Sequence, residues 1–295
     1  GHNIIGIEAD KNACAKLHKS RPDLVFNIAE GLYGSFRESY IPTLCEKLGI
    51  PYTGSDPLTL GLCLDKARCK EILLFNGIRT PRFVLVESHR DMREIQKLNF
   101  PVIVKPNAEG SSKGIFNNSV ARTFKEASKI ISEKTCQYKQ PVIIEELLTG
   151  REFTVACLGN VKSLQILPII EIDHSELPKN AWPIYSYEAK WIWDTPEKPL
   201  DIFKCPAKIS AKLKKKIENI VKKTFAVMKI RDWCRMDIRL DSDGEPNILE
   251  INPLPGILPN PEDNSCFPKA ARTAGYSYSQ MIGKVIEAAC IRQNL

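Results

Sequence analysis

Three oxygen-bearing side chains interrupt two apolar stretches near the end of the chain. Asp237 lies in residues 234–240, and Glu250 and Asn252 lie in residues 247–253. A carboxylate in an apolar stretch costs free energy unless another charge compensates it. Carboxylate and amide oxygens suit Mg²⁺ or Mn²⁺, whereas zinc favours sulfur and imidazole ligands. The pattern therefore predicts a divalent metal ion, and a metal ion in such a hairpin is typical of sites that hold nucleotide phosphates.

The turn between the two stretches determines which side chains share a face. Residues 241–244, Asp-Ser-Asp-Gly, predict a hairpin between β-strands. A four-residue loop would place Asp237 opposite Ile248. Arg235 would then lie opposite Glu250, and Asp237 and Glu250 would be diagonal neighbours about 7–8 Å apart, a gap that a metal ion can bridge. A simple ion pair between Arg235 and Glu250 is the alternative. The side chains predicted to share this face are those of Arg235, Asp237, Ile248, Glu250 and Asn252.

A second group of residues could bind phosphate. Lys105 ends a buried-looking strand, where a lysine needs an anionic partner such as phosphate. Residues 109–114, here called the serine loop, follow with the sequence Glu-Gly-Ser-Ser-Lys-Gly, whose small residues let an anion approach backbone N–H groups. The spacing matches neither a P-loop nor a dinucleotide-binding fingerprint, so a flexible polar hairpin remains an alternative.

Two carboxylates near the end of another apolar strand could bind the rest of a nucleotide. Glu145 ends the apolar run of residues 141–145, and Glu152 follows a Thr-Gly-Arg turn. A carboxylate can accept a hydrogen bond from an adenine amino group or from a ribose hydroxyl. Taken alone, both residues also fit ordinary surface charges at the end of a strand.

Length and composition limit the class of protein. The 295 residues are enough for two or three packed α/β units, and no apolar run approaches the roughly 18 residues of a membrane span. The ten cysteines include no Cys-x-x-Cys pair and the four histidines do not cluster, which argues against a zinc or disulfide framework and favours a reduced, cytoplasmic protein. The formal charge of +7 suits acidic substrates such as nucleotides.

Short strands alternate with helices along the chain, which is the pattern of an α/β protein. The predicted helices cover residues 12–19, 36–48, 65–75, 91–98, 209–228 and 278–291. The predicted strands outside the hairpin cover residues 4–7, 23–28, 82–86, 101–105, 141–145 and 153–158. Asp65 is expected to cap the helix that begins beside Lys66.

Two further segments allow more than one interpretation. Residues 173–206, here called the aromatic segment, contain five prolines and several aromatic residues, and they predict either a folding lid or a packed excursion of the domain. Six lysines between positions 212 and 223 lie on the polar face of an amphipathic helix. A solvated basic face is the favoured interpretation of these lysines, and nucleic-acid binding is the alternative.

Taken in order, these motifs resemble the ATP-grasp superfamily and, within it, the D-alanine–D-alanine ligases, over almost the whole chain. The matching stretches are residues 50–55, 64–66, 100–106, 109–112, 144–145, 152–155, 187–190, 235–237 and 249–252. The resemblance implies an α/β fold of three α/β domains, with ATP clamped between the central and C-terminal domains. The expected domains are residues 1–64, which are Rossmann-like and lack a first strand and helix, residues 65–150, and residues 151–295, which carry the lid and the metal site.

The resemblance also implies site residues, all numbered as in this sequence. The implied ATP-binding residues are Lys66, Lys105, Glu109, Ser111, Ser112, Glu145, Leu148, Glu152, Lys190 and Leu249. The implied metal ligands, for two Mg²⁺ or Mn²⁺ ions, are Asp237, Glu250 and Asn252. The implied catalytic residues are Arg235, Lys190, Ser111 and Gly256. The implied substrate residues are Glu30, Trp191, Gly256 and Ser265. Glu145 would face the adenine amino group and Glu152 the ribose, while Arg235 and the backbone of Gly256 would stabilise an oxyanion.

Four departures from the family pattern fall on the substrate side. The segment that carries the family's substrate-binding glutamate after the first strand is not found in this sequence, and Glu30 stands where the family has histidine. Trp191 replaces a tyrosine of the lid, and tryptophan cannot accept a hydrogen bond, so the family's link to Ser111 is altered. Residues 252–256, Asn-Pro-Leu-Pro-Gly, replace Asn-Thr-x-Pro-Gly, and extra residues precede Ser265.

These features predict an ATP-dependent carboxylate–amine ligase, in which ATP phosphorylates a substrate carboxylate and an amine attacks the acyl phosphate. The substrates are expected to be amino acids or short peptides, and D-alanyl-D-alanine synthesis is one candidate reaction. The alternative is a nucleotide-binding ATP-grasp protein without ligase turnover. We expect neither nucleic acid nor a membrane as a partner, and a homodimer is compatible with the sequence.

Overall fold

The computed structural model describes residues 1–195 and 200–295, and helices and strands follow one another along them. The α-helices are α1 (Ala13–Ser20), α2 (Tyr40–Leu48), α3 (Pro57–Leu64), α4 (Lys66–Phe75), α5 (Phe124–Tyr138), α6 (Ala211–Val227), α7 (Cys266–Thr273) and α8 (Tyr278–Gln293). The strands are β1 (Phe83–Val86), β2 (Val102–Pro106), β3 (Val120–Ala121), β4 (Val142–Glu146), β5 (Glu152–Leu158), β6 (Gln165–Ile166), β7 (Ile170–Ile172), β8 (Phe203–Lys204), β9 (Trp233–Leu240) and β10 (Pro246–Asn252). The aromatic segment extends into residues 196–199, which lie outside the described residues.

The first four strands form an antiparallel sheet in the order β1-β4-β2-β3. Helix α5 packs against one face of this sheet, and Ile131 of the helix shares a buried core with Val102, Val104 and Ile144. Side chains alternate along a strand, so β2 turns Lys105 to the opposite face from Val102 and Val104. The sheet therefore directs Lys105 into the cavity described below.

The second sheet is also antiparallel, in the order β10-β9-β5-β7-β8, with β6 paired to β5. Helix α6 covers one face, where Ile217 and Phe225 pack against Met236 and Ile238 of β9. The intervening residues of β9, among them Asp237, face the other side. Helices α7 and α8 cover a separate part of the sheet in a second core. Alternation along β9 thus separates the apolar core from the charged residues.

The N-terminal region differs most from the sequence prediction. The regular elements of residues 1–64 are helices joined by irregular segments, and their strand-like pairing within the described chain is one parallel bridge between Val25 and Tyr52. The strands predicted over residues 4–7 and 23–28 are therefore wrong. An apolar run becomes a strand only when a neighbouring backbone supplies its hydrogen bonds, and residues 4–7 have no such neighbour in the described part of the chain.

Most helix predictions are confirmed. The helices predicted over residues 12–19, 65–75, 209–228 and 278–291 correspond to α1, α4, α6 and α8. Two predictions differ in detail. The segment predicted as an α-helix over residues 91–98 forms a 3₁₀ helix, His89–Lys97. The start of the helix predicted over residues 36–48 forms a separate 3₁₀ turn, Arg37–Ser39, before α2.

The N-terminus of α4 is fixed to the end of β2. Asp65 caps the helix as predicted, since its carboxylate accepts hydrogen bonds from the Arg68 N–H (3.1 Å) and from the Asn107 amide (2.8 Å). The Asn107 amide oxygen accepts in turn from the Ala67 N–H at 3.0 Å. These contacts hold Lys66, the first residue of α4, beside the end of the strand that carries Lys105.

The loop of the β9–β10 hairpin is longer than predicted. Leu240 lies opposite Pro246, so the loop spans residues 241–245, and Ile248 lies opposite Ile238. Both isoleucines are fully buried under α6. The predictions that Ile248 lies opposite Asp237 and shares its face are therefore wrong.

A β-bulge at Leu249 then shifts the register by one residue. Beyond the bulge, Glu250 lies directly opposite Asp237, and Asn252 lies opposite Arg235. The predicted diagonal arrangement and the predicted pairing of Arg235 with Glu250 are wrong for this reason. The bulge brings the two carboxylates closer than a regular hairpin would, because directly opposed residues are nearer than diagonal ones.

None of the helices in the described residues is long and apolar enough to cross a bilayer. The domain limits at residues 64 and 150, the cytoplasmic location and the homodimer stay predictions.

Candidate active site

A cavity of about 710 Å³ lies between the two sheets. This volume falls within the range of about 300–1,000 Å³ that is common for sites that enclose a small molecule. Every ATP-binding, metal-binding, catalytic and substrate residue that the sequence predicts lines this cavity. The fold therefore brings together residues that are up to 235 positions apart in the chain, from Glu30 to Ser265.

Glu145 lies in a buried part of the cavity and has two lysine partners. Its side chain is 1% exposed, with Lys105 Nζ 2.8 Å from Oε2 and Lys70 Nζ 3.3 Å from Oε1. Burial would raise the pKa of the Glu145 carboxyl, but the two lysines lower it to about 2. The carboxyl is therefore ionised at neutral pH, and it offsets only part of the lysines' positive charge.

Lys70 is a residue of this cluster that the sequence analysis missed. Its side chain is 2% exposed, and its ammonium group donates to Thr80 Oγ1 (2.8 Å) and to the Leu249 carbonyl oxygen (3.1 Å). One lysine on α4 thus contacts both Glu145 and the bulge of β10. Its position one helical turn after Lys66 was the signal that could have identified it.

Glu152, at the start of β5, is held by two cationic or basic side chains. Arg239 Nη1 and His174 Nε2 each lie 3.0 Å from its Oε2 atom. Burial would raise the pKa of the Glu152 carboxyl, but the His174 hydrogen bond and the Arg239 charge lower it. Arg239 lies two residues after Asp237 on β9, and this same-face spacing could have revealed it. Leu148 and Leu249 add apolar lining to the cavity.

Side chains from two other segments hold the start of the serine loop. Lys66 donates to the Glu109 carbonyl oxygen and forms an ion pair of 2.9 Å with Glu250. Arg37 Nη1 donates to the Ala108 carbonyl oxygen at 2.9 Å, and its Nη2 lies 3.5 Å from Glu109 Oε2. The serine loop is therefore connected both to the N-terminal region and to Glu250 on the β9–β10 hairpin.

The two serines of the loop are held in a strained conformation by the aromatic segment. Ser111 and Ser112 have φ values of +55° and +59°, which non-glycine residues rarely adopt. Trp191 Nε1 donates to the Ser111 carbonyl oxygen at 3.2 Å, and Ser112 Oγ donates to the Tyr185 carbonyl oxygen at 3.1 Å. The indole N–H of Trp191 is thus bonded to the backbone of Ser111, and the altered link to the family's tyrosine stays a prediction.

Lys190 precedes this tryptophan on a single π-helical turn, Ala189–Trp193. Its ammonium group lies 5.2 Å from the centre of the Trp191 ring, and it has no carboxylate partner among the described residues. Burial, reinforced by the charge of Arg235, lowers the pKa of Lys190. An anion bound in the cavity would raise the pKa of Lys190 again, because its negative charge would offset the burial and the charge of Arg235.

The carboxylate face of the hairpin is charge-paired. Arg235 contacts both oxygens of Asp237, with distances of 3.2 and 3.0 Å, and Asn252 Nδ2 lies 3.1 Å from Asp237 Oδ2. Thr154 Oγ1 donates to Asp237 Oδ1 at 2.7 Å. Burial would lower the pKa of Arg235, but Asp237 raises it. The alternative of a simple Arg235–Glu250 ion pair is not observed, because Arg235 bonds to Asp237.

The same face fits a hard divalent cation. Asp237 and Glu250 lie directly opposite one another, and Asn252 follows on the same strand, so the available donor atoms are oxygens. In this structure Lys66 pairs with Glu250 and Arg235 pairs with Asp237. The two cations supply the positive charge that a metal ion would supply. The donor set therefore suits Mg²⁺ or Mn²⁺ better than zinc.

The continuation of β10 brings Ser265 to the cavity. Ser265 Oγ donates to the Gly256 carbonyl oxygen at 3.1 Å and accepts from the Leu258 N–H at 3.2 Å. Extra residues separate Gly256 from Ser265 in the sequence, but they form a loop whose two ends are in contact. Glu30, from the N-terminal region, is exposed to solvent and lines the same cavity.

Comparisons of sequence agree with one another. The family model described as "D-ala D-ala ligase C-terminus" matches residues 72–287. The uncharacterized protein y4sG of Sinorhizobium fredii is 36% identical over 98% of this chain and 83% of its own length. The D-alanine–D-alanine ligase of Cupriavidus pinatubonensis is 31% identical over 99% of this chain and 83% of its own length.

Solved structures of ligases are also similar to this chain. The crystal structure of D-alanine–D-alanine ligase from Bacillus anthracis, complexed with ATP, has a TM-score of 0.74 and 26% sequence identity, and covers 96% of this chain and 85% of that chain. The VanG D-Ala:D-Ser ligase from Enterococcus faecalis has a TM-score of 0.73 and 28% identity, and covers 90% of this chain and 73% of that chain.

Proposed function

The chain belongs to the D-alanine–D-alanine ligase family, has the ATP-grasp fold and is an ATP-dependent ligase that forms C–N bonds, and on that premise we propose that it joins two amino acids, or an amino acid and a short peptide. Two of the relatives above are named for D-alanine, and one solved neighbour is named for D-alanine and D-serine. D-Alanine is therefore the first donor and the first acceptor to test.

The proposed reaction has two steps. A carboxylate oxygen of the donor attacks the γ-phosphorus of ATP, the bond between that phosphorus and the β–γ bridging oxygen breaks, and ADP leaves. The acceptor amine then attacks the acyl carbon, the C–O bond to the phosphoryl group breaks, and inorganic phosphate leaves while the nitrogen loses protons to solvent. Binding both substrates beside ATP supplies much of the acceleration through positioning.

Cations around the cavity support the first step. Lys66, Lys105 and Lys190 come from a helix, a strand and the aromatic segment, and all three reach the cavity. We assign them to the ATP phosphates, where they would offset the charge of the transferring phosphoryl group. Hydrogen bonds from the aromatic segment to the serine loop would keep water from the acyl phosphate.

The metal requirement follows from the carboxylate face of the hairpin. The family depends on ATP and a divalent metal, and we propose Mg²⁺ or Mn²⁺, two ions, held by Asp237, Glu250 and Asn252. The ions would neutralise charge on the phosphoryl group. Lys66 and Arg235 now compensate Glu250 and Asp237, and we propose that both cations turn toward substrate oxygens when the site is loaded.

The second step needs a group that stabilises the tetrahedral oxyanion. We assign this to Arg235 and to the backbone N–H of Gly256, which line one wall of the cavity. Ser265, in contact with Gly256, would bind the acceptor carboxylate. Glu145 and Glu152 would bind the adenine and the ribose at the other end.

The observation that carries the proposal is the bulge at Leu249, which sets Glu250 directly opposite Asp237 in the cavity that the three lysines share. The two opposed carboxylates, together with Lys190, which has no carboxylate partner among residues 1–195 and 200–295, favour phosphoryl transfer over nucleotide binding alone.

Product analysis tests the proposal. The purified chain, ATP and Mg²⁺ would be incubated with pairs from a panel of D- and L-amino acids, with ADP and peptide product measured by coupled assay and mass spectrometry. Stoichiometric ADP and product with at least one pair is expected. Measurable ATP binding without ADP or product from any pair would favour the nucleotide-binding alternative.

A further inference from the structure

The carboxylates of the cavity differ in whether a cation accompanies them. Eight Asp and Glu side chains line it. The five described above, Glu109, Glu145, Glu152, Asp237 and Glu250, each have a cation within 3.5 Å, and Arg82 lies 3.0 Å from a sixth, Glu146. The remaining two are Glu30 and Glu38. Neither side chain forms an ion pair or hydrogen bond with any of residues 1–195 or 200–295.

The two unpaired carboxylates are in different surroundings. Glu30 is exposed, so water can solvate its charge. Glu38 is half-buried, and burial, reinforced by the charge of Glu30, raises the pKa of its carboxyl to about 7. A carboxylate removed from water without a cation is disfavoured. A cationic ligand in the cavity would therefore stabilise the charged form of Glu38.

Both neighbours of Glu38 hold it at the cavity. Glu38 is the central residue of the 3₁₀ turn Arg37–Ser39. On one side, Arg37 bonds to the Ala108 carbonyl oxygen and pairs with Glu109 at the start of the serine loop. On the other side, Ser39 Oγ donates to the Pro57 carbonyl oxygen at 2.6 Å. Because Arg37 is already bonded, its guanidinium is not free to pair with Glu38.

None of residues 1–195 or 200–295 supplies a cation that pairs with Glu38. Lys66, the lysine whose charge acts on Glu38, is already paired with Glu250, and the donor set for metal lies on the hairpin. An amino-acid donor brings an ammonium group to the same cavity. Resting on the proposed function, we propose that Glu38 binds the ammonium group of the acyl-donor amino acid, and that Arg37 is a positioning residue that keeps this carboxylate in register with the serine loop.

The donor step can be tested separately by replacing the acceptor with hydroxylamine in excess, which converts the acyl phosphate into a hydroxamate and phosphate. The ratio of kcat/KM for D-alanine to that for propionate, which lacks the amine, measures recognition of the ammonium group. Wild type should prefer D-alanine, and Glu38→Gln should reduce this preference about 10- to 100-fold. The KM for ATP should not change. Glu8→Gln, an exposed glutamate outside the cavity, is the matched control and should behave as wild type.

Stability provides a second measurement. Glutamine has the same shape as glutamate and removes a carboxylate that has no partner, so Glu38→Gln should unfold at the same temperature as wild type or above it. An unchanged D-alanine preference in this folded variant would overturn the inference while the proposed function stands. A changed Mg²⁺ requirement with unchanged preference would assign Glu38 to metal and overturn it as well. If wild type forms no hydroxamate with any amino acid, the proposed function fails, and this inference with it.

The role of Arg37 is tested by Arg37→Gln, which keeps hydrogen-bonding capacity and removes the charge facing Glu109. A positioning role predicts that the KM for D-alanine rises more than the KM for ATP, with partial rescue by Arg37→Lys. Equal increases in both KM values, or no rescue despite normal folding, would indicate a structural role only.

Discussion

The two ends of the cavity are built differently. At the end assigned to the nucleotide, Glu145, Glu152 and Glu250 lie on strands, and each is paired with a cation. At the end assigned to the amino acids, Glu30, Trp191 and Ser265 lie on loops, turns or a helix start. Charge-paired side chains on strands form a rigid site, which suits a ligand that all relatives bind. Loops vary more between relatives, so they can accommodate different substrates. We therefore expect relatives to share the nucleotide end and to differ at the amino-acid end.

The largest expected effect is at the metal-binding face. Glu250→Gln keeps the shape of the side chain but removes the charge that would bind metal, so kcat should fall about 10²- to 10³-fold. The melting temperature should fall less than in Glu145→Gln, since Glu250 is part-exposed although its partner Lys66 is buried. ADP release and thermal unfolding measure the two quantities.

Glu245→Gln is the matched control, because this glutamate lies on the same hairpin and pairs with Lys216 outside the cavity. It should retain wild-type turnover. Full activity of Glu250→Gln would show that the metal assignment is wrong.

The buried end should respond in stability as well as in ATP binding. Glu145→Gln leaves Lys70 and Lys105 without their counter-charge, and breaking such a buried pair costs about 3–5 kcal/mol of unfolding free energy. Urea unfolding measures this loss. Glu133→Gln, in an exposed pair with Lys129, should cost less than about 1 kcal/mol. Similar losses in the two variants would contradict the picture of a charge-paired nucleotide end.

The Glu145 carboxyl also predicts that the unfolding free energy depends on pH. The pKa of Glu145 is about 2 in the folded chain, below its ordinary value of 4.5, so its stabilising contribution is complete above pH 4.5 and is lost as the pH falls toward 2. The loss should amount to about 3 kcal/mol. Unfolding free energies of wild type and Glu145→Gln should therefore differ by a constant amount between pH 5 and 7 and converge below pH 4.5. A difference that changes between pH 5 and 7 would contradict the assignment.

The smallest expected effect is at the aromatic segment. Trp191→Phe removes the indole donor to Ser111 and keeps an aromatic ring, so ADP release without peptide formation should rise about fivefold, as expected for one lost hydrogen bond. Trp191→Tyr restores a donor and should reverse part of the rise. Trp193→Phe, on the same turn, is the control. If ADP release without peptide formation rose equally in Trp191→Phe and Trp193→Phe, the bond to Ser111 would not be what protects the acyl phosphate.

Sequence patterns were most informative for side chains on regular strands. Asp237 and Glu250 could be identified because a carboxylate in an apolar run is unusual, and alternation alone put Asp237 on a polar face. Their direct opposition could not be predicted, because no turn or spacing signal in the sequence marks the bulge at Leu249, whose carbonyl oxygen accepts a hydrogen bond from the distant Lys70.

Residues that act through tertiary contacts were not visible in the sequence. Glu38 and Arg37 lie at the start of the helix predicted over residues 36–48, where charged residues are common, and only the folded chain brings Arg37 to Glu109. The strands predicted over residues 4–7 and 23–28 are wrong for a related reason. Local apolar patterning specifies a preference for extended backbone, whereas a strand also needs a partner.

The most direct test of the account is the fate of oxygen in the donor carboxylate. Wild-type protein would be incubated with ATP, Mg²⁺ and D-alanine labelled with oxygen-18 in its carboxyl group, and the inorganic phosphate would be analysed by mass spectrometry. An acyl phosphate requires a donor oxygen to leave with the phosphoryl group, so each phosphate formed with peptide should carry one labelled oxygen. Release of ADP together with unlabelled phosphate would mean that water attacks ATP directly, and it would contradict the account.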